Sequence, residues 1–532
     1  NRSAPEDRFS RQGAGRIWVK QLNGGGEVAV TSGPLDSNPR FSPDGTTLLF
    51  LRSEGRKVNL LRIPILGGDA RTIRSDVVSA DWSPAGDRIV FTSFGEVDGR
   101  DTSTIRTISS NGTGEKVLAT IEDRVIRTIR WSPDGSRLVG VEAATSGTTD
   151  SQLVFIDAED GSIDPFDHPL ARAFMMFPAW TPDGNLIWSN LESVYSQSTS
   201  VVMHDFEENE TRTLFWSLEG AGVIDVLPPN RIVMSSSDQR QNLRRTTFGP
   251  GGEPSASEWL TRGSGIDRQP VYSPDGKWIM FSSTRSGNLD LWQLSTESGE
   301  VSRVTDDVAN DWDPGFTPDG ESILWSSDRS GNYEIWMARR DGSGARQVTR
   351  DEIDAENPTM TPDGSWITYA SAGSDKRGIW KIRPDGTHAT RIAEGTYILP
   401  EISPDGRWVS FVEAGQVATH STIHVIGIDG EDASFRIEVD SPVPATNLGR
   451  HRWLPDGSAI AFWSSDESGN LGFFAQDFEP GSDTSSTRRK YAGFDSEVQA
   501  ESFGIAPDGS EVTISANDYE FAIVMADGVD LR

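Results

Sequence analysis

The stretch QPVYSPDGKWIMFSSTRSGNLDLWQLSTESGEVSRVTD, at residues 269–306, is repeated at residues 313–351 as DPGFTPDGESILWSSDRSGNYEIWMARRDGSGARQVTRD. Each copy contains an apolar run, a Pro-Asp-Gly turn, a second apolar run, a Ser-Gly-Asn turn, an aromatic strand and a last short strand. This order of strands and turns predicts one four-stranded antiparallel meander per copy.

The turn between the first two strands is Ser273–Gly276. Proline sets φ near −65° at the second turn position, Asp bonds its own backbone, and Gly accepts positive φ. The strand that follows, Trp278–Phe281, is apolar on both faces, which is typical of a sheet packed between two others. A meander of this kind needs neighbours, so it predicts one blade of a larger array.

Turn prolines mark the same repeat along almost the whole chain, at Pro43, Pro84, Pro133, Pro182, Pro274, Pro318, Pro362, Pro404, Pro455 and Pro507. A degenerate copy lies at Pro228-Pro229, and a leading half-repeat begins at Arg16. Spacings of 41 to 52 residues indicate a propeller or a similar array. The sequence predicts an all-β fold of about eleven to twelve four-stranded antiparallel blades.

One ring of that many blades would leave a wide bore, so we expect tandem propellers. The pattern is weakest before Arg262, which places the first propeller at 16–262 and the second, with six blades, at 263–532. Residues 1–15 are charged and aperiodic, as in a linker or arm. Alternatively, residues 16–33 pair with the last repeat, so that the two termini complete one blade.

The composition of 49 basic and 80 acidic residues gives a formal charge of −31, which disfavours nucleic acid and anionic lipid as partners. The chain has no cysteine and no apolar run long enough for a membrane span, so we expect no direct membrane insertion. It starts with Asn1, and we expect a processed or trimmed N-terminus.

The spelling P-x-[FWY]-[ST]-P-D-G, followed by S-x-x-x-G-N-x-x-[IL]-W, resembles the TolB-like (WD-repeat-like) β-propeller repeat. It is carried by Pro270–Trp292, Pro314–Trp336 and, more loosely, Pro358–Trp380. The same repeat occurs in the propellers of prolyl-oligopeptidase-type and tricorn-type peptidases and in sensor regions of bacterial kinases and regulators. The resemblance therefore implies a fold and leaves several functions open.

No catalytic motif accompanies these repeats. A propeller peptidase needs a G-x-S-x-G nucleophile elbow, which is absent, and the six histidines form no spaced ligand set. We therefore predict no catalytic residue, no cofactor and no enzyme activity.

Two groups of residues remain candidates for binding. In the resembled family, the loops before the innermost strands approach the channel, where carboxylates would suit Ca²⁺. The weak metal candidates are Asp306, Asp307, Asp311, Asp313, Asp351 and Asp354. Most of the tryptophans occupy repeat positions, but Trp259 and Trp312 lie in edge or loop contexts and are candidates for partner contacts.

These features favour a non-enzymatic, extracytoplasmic (periplasmic, bacterial) propeller. It would act as a protein-binding scaffold or accessory subunit of an envelope assembly, as TolB-like proteins do, and the periplasmic face of a membrane complex would fit as its partner. Two alternatives remain open: the sensing propeller of a bacterial kinase or regulator, and a propeller lyase or hydrolase.

Overall fold

The chain folds almost entirely into antiparallel β-sheets. The computed structural model describes residues 16–20, 27–33, 36–54, 57–97, 100–144, 151–173, 175–191, 199–217, 220–227, 231–249, 254–351, 354–373, 376–414, 420–440, 450–466, 471–494, 499–529 and 531. The predicted arm at residues 1–15 lies outside this set. Within it, helical structure is limited to two 3-10 turns, Pro169–Ala171 and Ser485–Thr487.

The first half of the chain supplies twenty strands. They are β1 (Trp18–Lys20), β2 (Glu27–Ala29), β3 (Asp36–Phe41), β4 (Thr47–Glu54), β5 (Lys57–Pro64), β6 (Arg71–Ser75), β7 (Ser79–Trp82), β8 (Arg88–Val97), β9 (Arg100–Ser109), β10 (Lys116–Glu122), β11 (Arg124–Trp131), β12 (Arg137–Ala144), β13 (Ser151–Asp157), β14 (Ile163–Pro165), β15 (Arg172–Ala173), β16 (Met175–Trp180), β17 (Leu186–Leu191), β18 (Thr199–Asp205), β19 (Glu210–Ser217) and β20 (Gly220–Leu227).

The second half supplies twenty-four more. They are β21 (Arg231–Phe248), β22 (Pro254–Trp259), β23 (Asp267–Tyr272), β24 (Trp278–Ser283), β25 (Asp290–Ser295), β26 (Val301–Arg303), β27 (Asp311–Phe316), β28 (Ser322–Ser327), β29 (Glu334–Arg339), β30 (Arg346–Gln347), β31 (Ala355–Met360), β32 (Ile367–Ser371), β33 (Gly378–Ile382), β34 (Thr390–Glu394), β35 (Tyr397–Ile402), β36 (Trp408–Ala414), β37 (His420–Gly427), β38 (Asp432–Asp440), β39 (Arg452–Trp453), β40 (Ala459–Ser465), β41 (Leu471–Asp477), β42 (Arg489–Ala492), β43 (Gln499–Ile505) and β44 (Glu511–Asp527).

The strands form eleven blades in two compact units. Unit 1 is Asn1–Asp238 with Tyr519–Arg532, and unit 2 is Gln239–Asp518. The sequence predicts a boundary at Arg262, whereas the compact units divide within β21 and β44, because the last strand of the chain contributes to both units. The all-β fold of tandem propellers and the expected number of blades are confirmed.

Unit 1 contains blade 1 (β3–β6), blade 2 (β7–β10), blade 3 (β11–β14, with β15 paired to β13) and blade 4 (β16–β19). Blade 5 combines β20 with the start of β21 and the end of β44. The leading half-repeat forms the pair β1–β2, and its Ile17 and Val30 pack against blade 1. The alternative pairing of residues 16–33 with the last repeat is not what the described strands show, since β44 of that repeat pairs with β21 and β43.

Unit 2 is a closed ring of six blades: blade 6 (β23–β26), blade 7 (β27–β30), blade 8 (β31–β34), blade 9 (β35–β38), blade 10 (β39–β42) and blade 11. Blade 11 combines β43 and the start of β44 with the end of β21 and β22. The innermost strands contact each other in the order β23, β27, β31, β35, β39, β43 and back to β23. Two distant parts of the chain therefore close this ring.

The predicted turns have the predicted chemistry. In blade 6, the amide of Gly276 donates to the Ser273 carbonyl at 2.9 Å, and Gly276 has φ 71°. The Asp275 carboxylate accepts from the Ser273 hydroxyl at 2.6 Å and from the Lys277 amide at 3.1 Å. These bonds hold the pKa of Asp275 below its ordinary value.

Blades 6 and 7 approach each other closely at Gly342, in an outer turn of blade 7. A substitution at this glycine therefore tests how much the close approach contributes to stability. Gly342 has φ 83°, and a Cβ there would lie 2.2 Å from the Val304 carbonyl oxygen of the preceding blade. Gly299, in the equivalent turn of blade 6, also has positive φ but faces open space. We expect Gly342→Ala to lower the free energy of unfolding by about 2–4 kcal/mol, and Gly299→Ala by about 1 kcal/mol. Urea unfolding measures both, and equal losses would contradict the close approach.

Candidate functional site

Four of the six innermost strands of unit 2, namely β23, β27, β31 and β35, contain a β-bulge at the residue before a proline. These residues are Gln269, Asp313, Asn357 and Leu399, with φ between 53° and 59°. Asp and Asn tolerate this left-handed conformation, whereas it strains Gln and Leu. We call this place in the repeat, five residues before the turn proline, the bulge position.

Side chains at the bulge position connect one blade to the next. The Gln269 Oε1 accepts from the Asp313 amide at 3.0 Å, and the Asn357 Oδ1 accepts from the Leu399 amide at 3.2 Å. The Asn357 side-chain amide donates to the Asp313 carboxylate. The Gln269 amide donates to the Ser502 hydroxyl of blade 11 at 2.9 Å. The ring is therefore joined near its axis by hydrogen bonds as well as by apolar packing.

Arg450 occupies the bulge position of blade 10 and forms a buried ion pair. Its Nη2 lies 2.9 Å from Oδ1 of Asp313 in blade 7, and the two side chains are 3% and 0% exposed. Its Nη1 lies 3.0 Å from the Glu401 carboxylate, which also pairs with Arg452. Blades 7 and 10 are three places apart in a ring of six, so this ion pair crosses the central channel.

His451 follows Arg450 in the chain and is uncharged. His451 is 1% exposed, and its Nε2 lies 2.7 Å from the Ser410 hydroxyl. Burial, with the positive charges of Arg452 and Arg450, lowers the pKa of His451 to about 3. The imidazole therefore carries no charge at the pH of ordinary solutions.

The residues just before the bulges lie at the end of unit 2 where the innermost strands start, which we call the strand-start face. On one side Arg268 pairs with Glu501, which also accepts from Gln241. On the other side Trp312 of blade 7 packs against Tyr333, with ring centroids 5.5 Å apart.

Glu356 of blade 8 lies beside this aromatic pair. Burial, together with the nearby charges of Asp354 and Asp313, raises the pKa of Glu356 to about 8. This carboxyl is therefore largely protonated at neutral pH.

The predicted metal candidates do not form a single cluster, and most of them are paired with cations or backbone amides. Asp307 and Asp311 both pair with Arg329, and Asp351 pairs with Lys376. Asp354 accepts from the Tyr333 amide at 3.1 Å, Asp313 pairs with Arg450, and Asp306 is exposed. Within the described ranges, no three Asp, Glu or His side chains are grouped so as to hold a metal ion.

The two tryptophan candidates lie in different settings. Trp312 lies at the strand-start face, in the innermost strand β27. Trp259 ends β22, the outer strand of blade 11, where it is partly buried against the core and lies 5.8 Å from the Arg244 guanidinium. Both stay candidates for partner contacts, and only Trp312 is close to the groups around the channel.

Sequence reasoning missed the roles of Arg450, Glu401 and Glu356. The sequence signal that could have revealed the Arg450–Asp313 pair is their equivalent place in the repeat. Arg450 is five residues before Pro455, and Asp313 is five residues before Pro318. An arginine and an aspartate at equivalent places in a ring can meet across the axis. The sequence does not show which blades are opposite until the number of blades per ring is known.

The described part of the chain includes no helix that is both long and apolar enough to cross a bilayer.

Comparison with known proteins supports the fold and part of the classification. The family model described as the TolB beta propeller domain matches residues 253–441. An uncharacterized peptidase of Bacillus subtilis, YuxL, is 30% identical over 174 residues, which cover 32% of this chain and 24% of that protein. The Tol-Pal system protein TolB of Bordetella pertussis is 25% identical over 142 residues, or 25% of this chain and 29% of TolB.

A solved structure of a putative TolB from Agrobacterium tumefaciens is 20% identical, with a TM-score of 0.33 over 61% of this chain and 98% of that one. The chain spans less than a third of the length of the curated relatives it matches. The fold and repeats define a β-propeller repeat protein. More narrowly, the propeller that the family model matches, at residues 253–441, is TolB-like, as the sequence predicts.

Proposed function

We propose that this protein is a non-enzymatic, extracytoplasmic propeller that binds a protein partner through the strand-start face of unit 2. The observation that carries the proposal is the loop at residues 304–310 between blades 6 and 7. Its Val308 is 99% exposed, although the loop around it is firmly held. Single exposed apolar side chains are common on protein surfaces, but one presented on a loop held in a fixed conformation can contact a partner at low entropic cost.

The bonds that hold this loop come from two neighbouring turns. The Asn288 side-chain amide donates to the carbonyls of Asp307, at 3.0 Å, and Ala309. Arg329 pairs with Asp307 at 2.9 Å, and Asp307 accepts from the Ala309 amide. The loop needs little reordering to bind, which lowers the entropic cost of association.

Charge indicates the kind of partner. Asp306 and Asp307 are exposed beside Val308, and the whole chain carries a formal charge of −31. A basic partner would be attracted to this face and steered toward it. Similarity to Tol-Pal system proteins supports an envelope location, and the periplasmic face of a membrane complex fits as the binding site.

A substrate-gating role is less well supported. One relative is named as a peptidase. However, the Arg450–Asp313 ion pair lies across the channel of unit 2, in the path that a peptide would take along the axis.

The direct test is recovery of partners from a native membrane extract with wild-type protein and two matched variants. We expect Val308→Asp to reduce the recovered partner at least about fivefold, because a charge in the contact would be desolvated. Leu66→Asp is the control, since Leu66 is 98% exposed in an outer turn of unit 1. Equal recovery by both variants would contradict the assigned face, and a free monomer in every case would contradict the proposed function.

A further inference from the structure

Glu356 is an ionisable group in the innermost strand of blade 8. It lies in β31 just before the bulge at Asn357, and among the described residues no hydrogen bond or ion pair reaches its carboxyl. The two acidic residues near it, Asp313 and Asp354, already have partners within the chain. Asp313 is neutralised by Arg450, and Asp354 accepts from the Tyr333 amide.

An unpaired, partly buried carboxyl is unfavourable in its ionised form unless a cation binds it. Other acids around the channel have cations, as Glu401 has Arg450 and Arg452, and Glu501 has Arg268. Unlike these acids, Glu356 has no cationic partner among the described residues. This difference points to a cation supplied from outside the chain.

Aromatic rings complete the site. Trp312 and Tyr333 lie in blade 7, whose innermost strand β27 contacts the strand β31 that carries Glu356. Burial, with the nearby charges of Asp328 and Glu356, raises the pKa of the Tyr333 hydroxyl. Aromatic faces attract organic cations, and Trp does so most strongly. A carboxyl beside an aromatic pair therefore suits a guanidinium or ammonium group, and its negative charge repels anions.

We propose that a lysine or arginine side chain of the protein partner binds between the Glu356 carboxylate and the Trp312–Tyr333 rings. This inference rests on the proposed function, because it names the chemistry that the strand-start face recognises. Asp313 follows Trp312 in β27, and its buried pair with Arg450 crosses the channel, so we expect the bound side chain to enter from the strand-start face.

Binding by this site depends on pH in a defined direction. In the free protein Glu356 has a pKa of about 8, so it is mostly protonated below that pH. A cation binds the ionised form, and below pH 8 the proton must first be lost. The affinity is therefore expected to fall about sevenfold between pH 9 and pH 6.5, toward the tenfold weaker binding expected of a neutral side chain at this position.

The experiment uses the full chain and a short peptide, acetyl-Gly-Arg-Gly-amide, with the isosteric neutral citrulline peptide as the ligand control. Isothermal titration calorimetry at pH 9 and pH 6.5 compares wild type, Glu356→Gln and Asp306→Asn. We expect the arginine peptide to bind wild type and Asp306→Asn equally. Glu356→Gln should bind it about tenfold more weakly at pH 9 and show no pH dependence.

The stability of the folded Glu356→Gln variant can be measured separately from its binding. The pKa of Glu356 is raised from 4.5, so ionisation opposes folding increasingly as pH rises from 4.5 through 8. Glu356→Gln removes that cost and should melt at the same temperature as wild type at pH 4, and higher at pH 9. A lower melting temperature at pH 9 would mean that Glu356 has a structural partner, and would overturn the inference.

The outcomes separate this inference from the proposed function. Equal binding of the arginine and citrulline peptides, or full affinity in Glu356→Gln, overturns the cation site. If Val308→Asp nevertheless abolishes partner recovery, the proposed function stands without it. Tighter binding of agmatine than of the peptide would assign the site to a free amine and overturn the assignment to a protein partner.

Discussion

Replacing Arg450 by methionine should destabilise unit 2 by about 3–5 kcal/mol, which is the usual cost of leaving a buried charge without its partner. The Asp313 carboxylate is fully buried, and Arg450 is its only ion-pair partner among the described residues. Glu401 would keep Arg452. Equilibrium urea unfolding, followed by tryptophan fluorescence, measures the loss.

Two further variants make this test specific. Asp313→Asn combined with Arg450→Met removes both charges, so it should recover more than half of the stability lost in Arg450→Met. Arg489→Met breaks the exposed pair with Asp477, whose side chains are 49% and 46% exposed, and should cost less than about 1 kcal/mol. Equal losses in Arg450→Met and Arg489→Met would show that the channel ion pair is not buried in solution.

Removal of residues 499–532 should abolish the cooperative unfolding of unit 2. Blade 11 would lose β43 and its part of β44, and β23 would lose its neighbour on that side. Several bonds across this closure would be lost as well, such as those from the Tyr272 hydroxyl to Glu511 at 3.0 Å and Thr513 at 2.7 Å. An open ring exposes the apolar faces of blades 6 and 10 to water.

Limited proteolysis and calorimetry measure this effect. Wild type should give a sharp thermal transition and resist cleavage within residues 263–492. The truncated chain should unfold over a broad temperature range and be cleaved within these residues. The control is removal of residues 1–15, which the sequence predicts to be an arm and which should leave the transition unchanged. A truncated chain with a wild-type transition would contradict the closure of the ring by β43 and β44.

The blades were predictable because their information is local. Pro, Asp and Gly at the turn ending in Gly276 specify a reversal within four residues, and the structure has the expected bonds there. The tryptophans at repeat positions are likewise explained by packing between blades, as for Trp131, which is buried in a core shared by blades 2 and 3. Each of these features depends on neighbours within one repeat or the next.

The closure of the ring and the channel cluster were not predictable from local patterns. Arg450 and Asp313 are 137 residues apart, and they meet only because unit 2 has six blades. The division of β21 and β44 between two units has no turn residue to mark it, since each strand is continuous through the division. Glu356 was missed because a single glutamate in a strand is an ordinary surface residue until its neighbours are known.

The pairing of β21 with β44 also affects how the chain folds during synthesis. Arg231 and Asp527 are 296 residues apart in sequence, and their side chains form an ion pair in blade 5. Blades 1–4 and 6–10 can form as they leave the ribosome, but blades 5 and 11 must wait for β44. Contacts of such long sequence separation slow folding and prolong the exposure of open apolar faces. The charge of −31 then acts on the nascent chain, because mutual repulsion keeps partly folded copies apart until the last strand arrives.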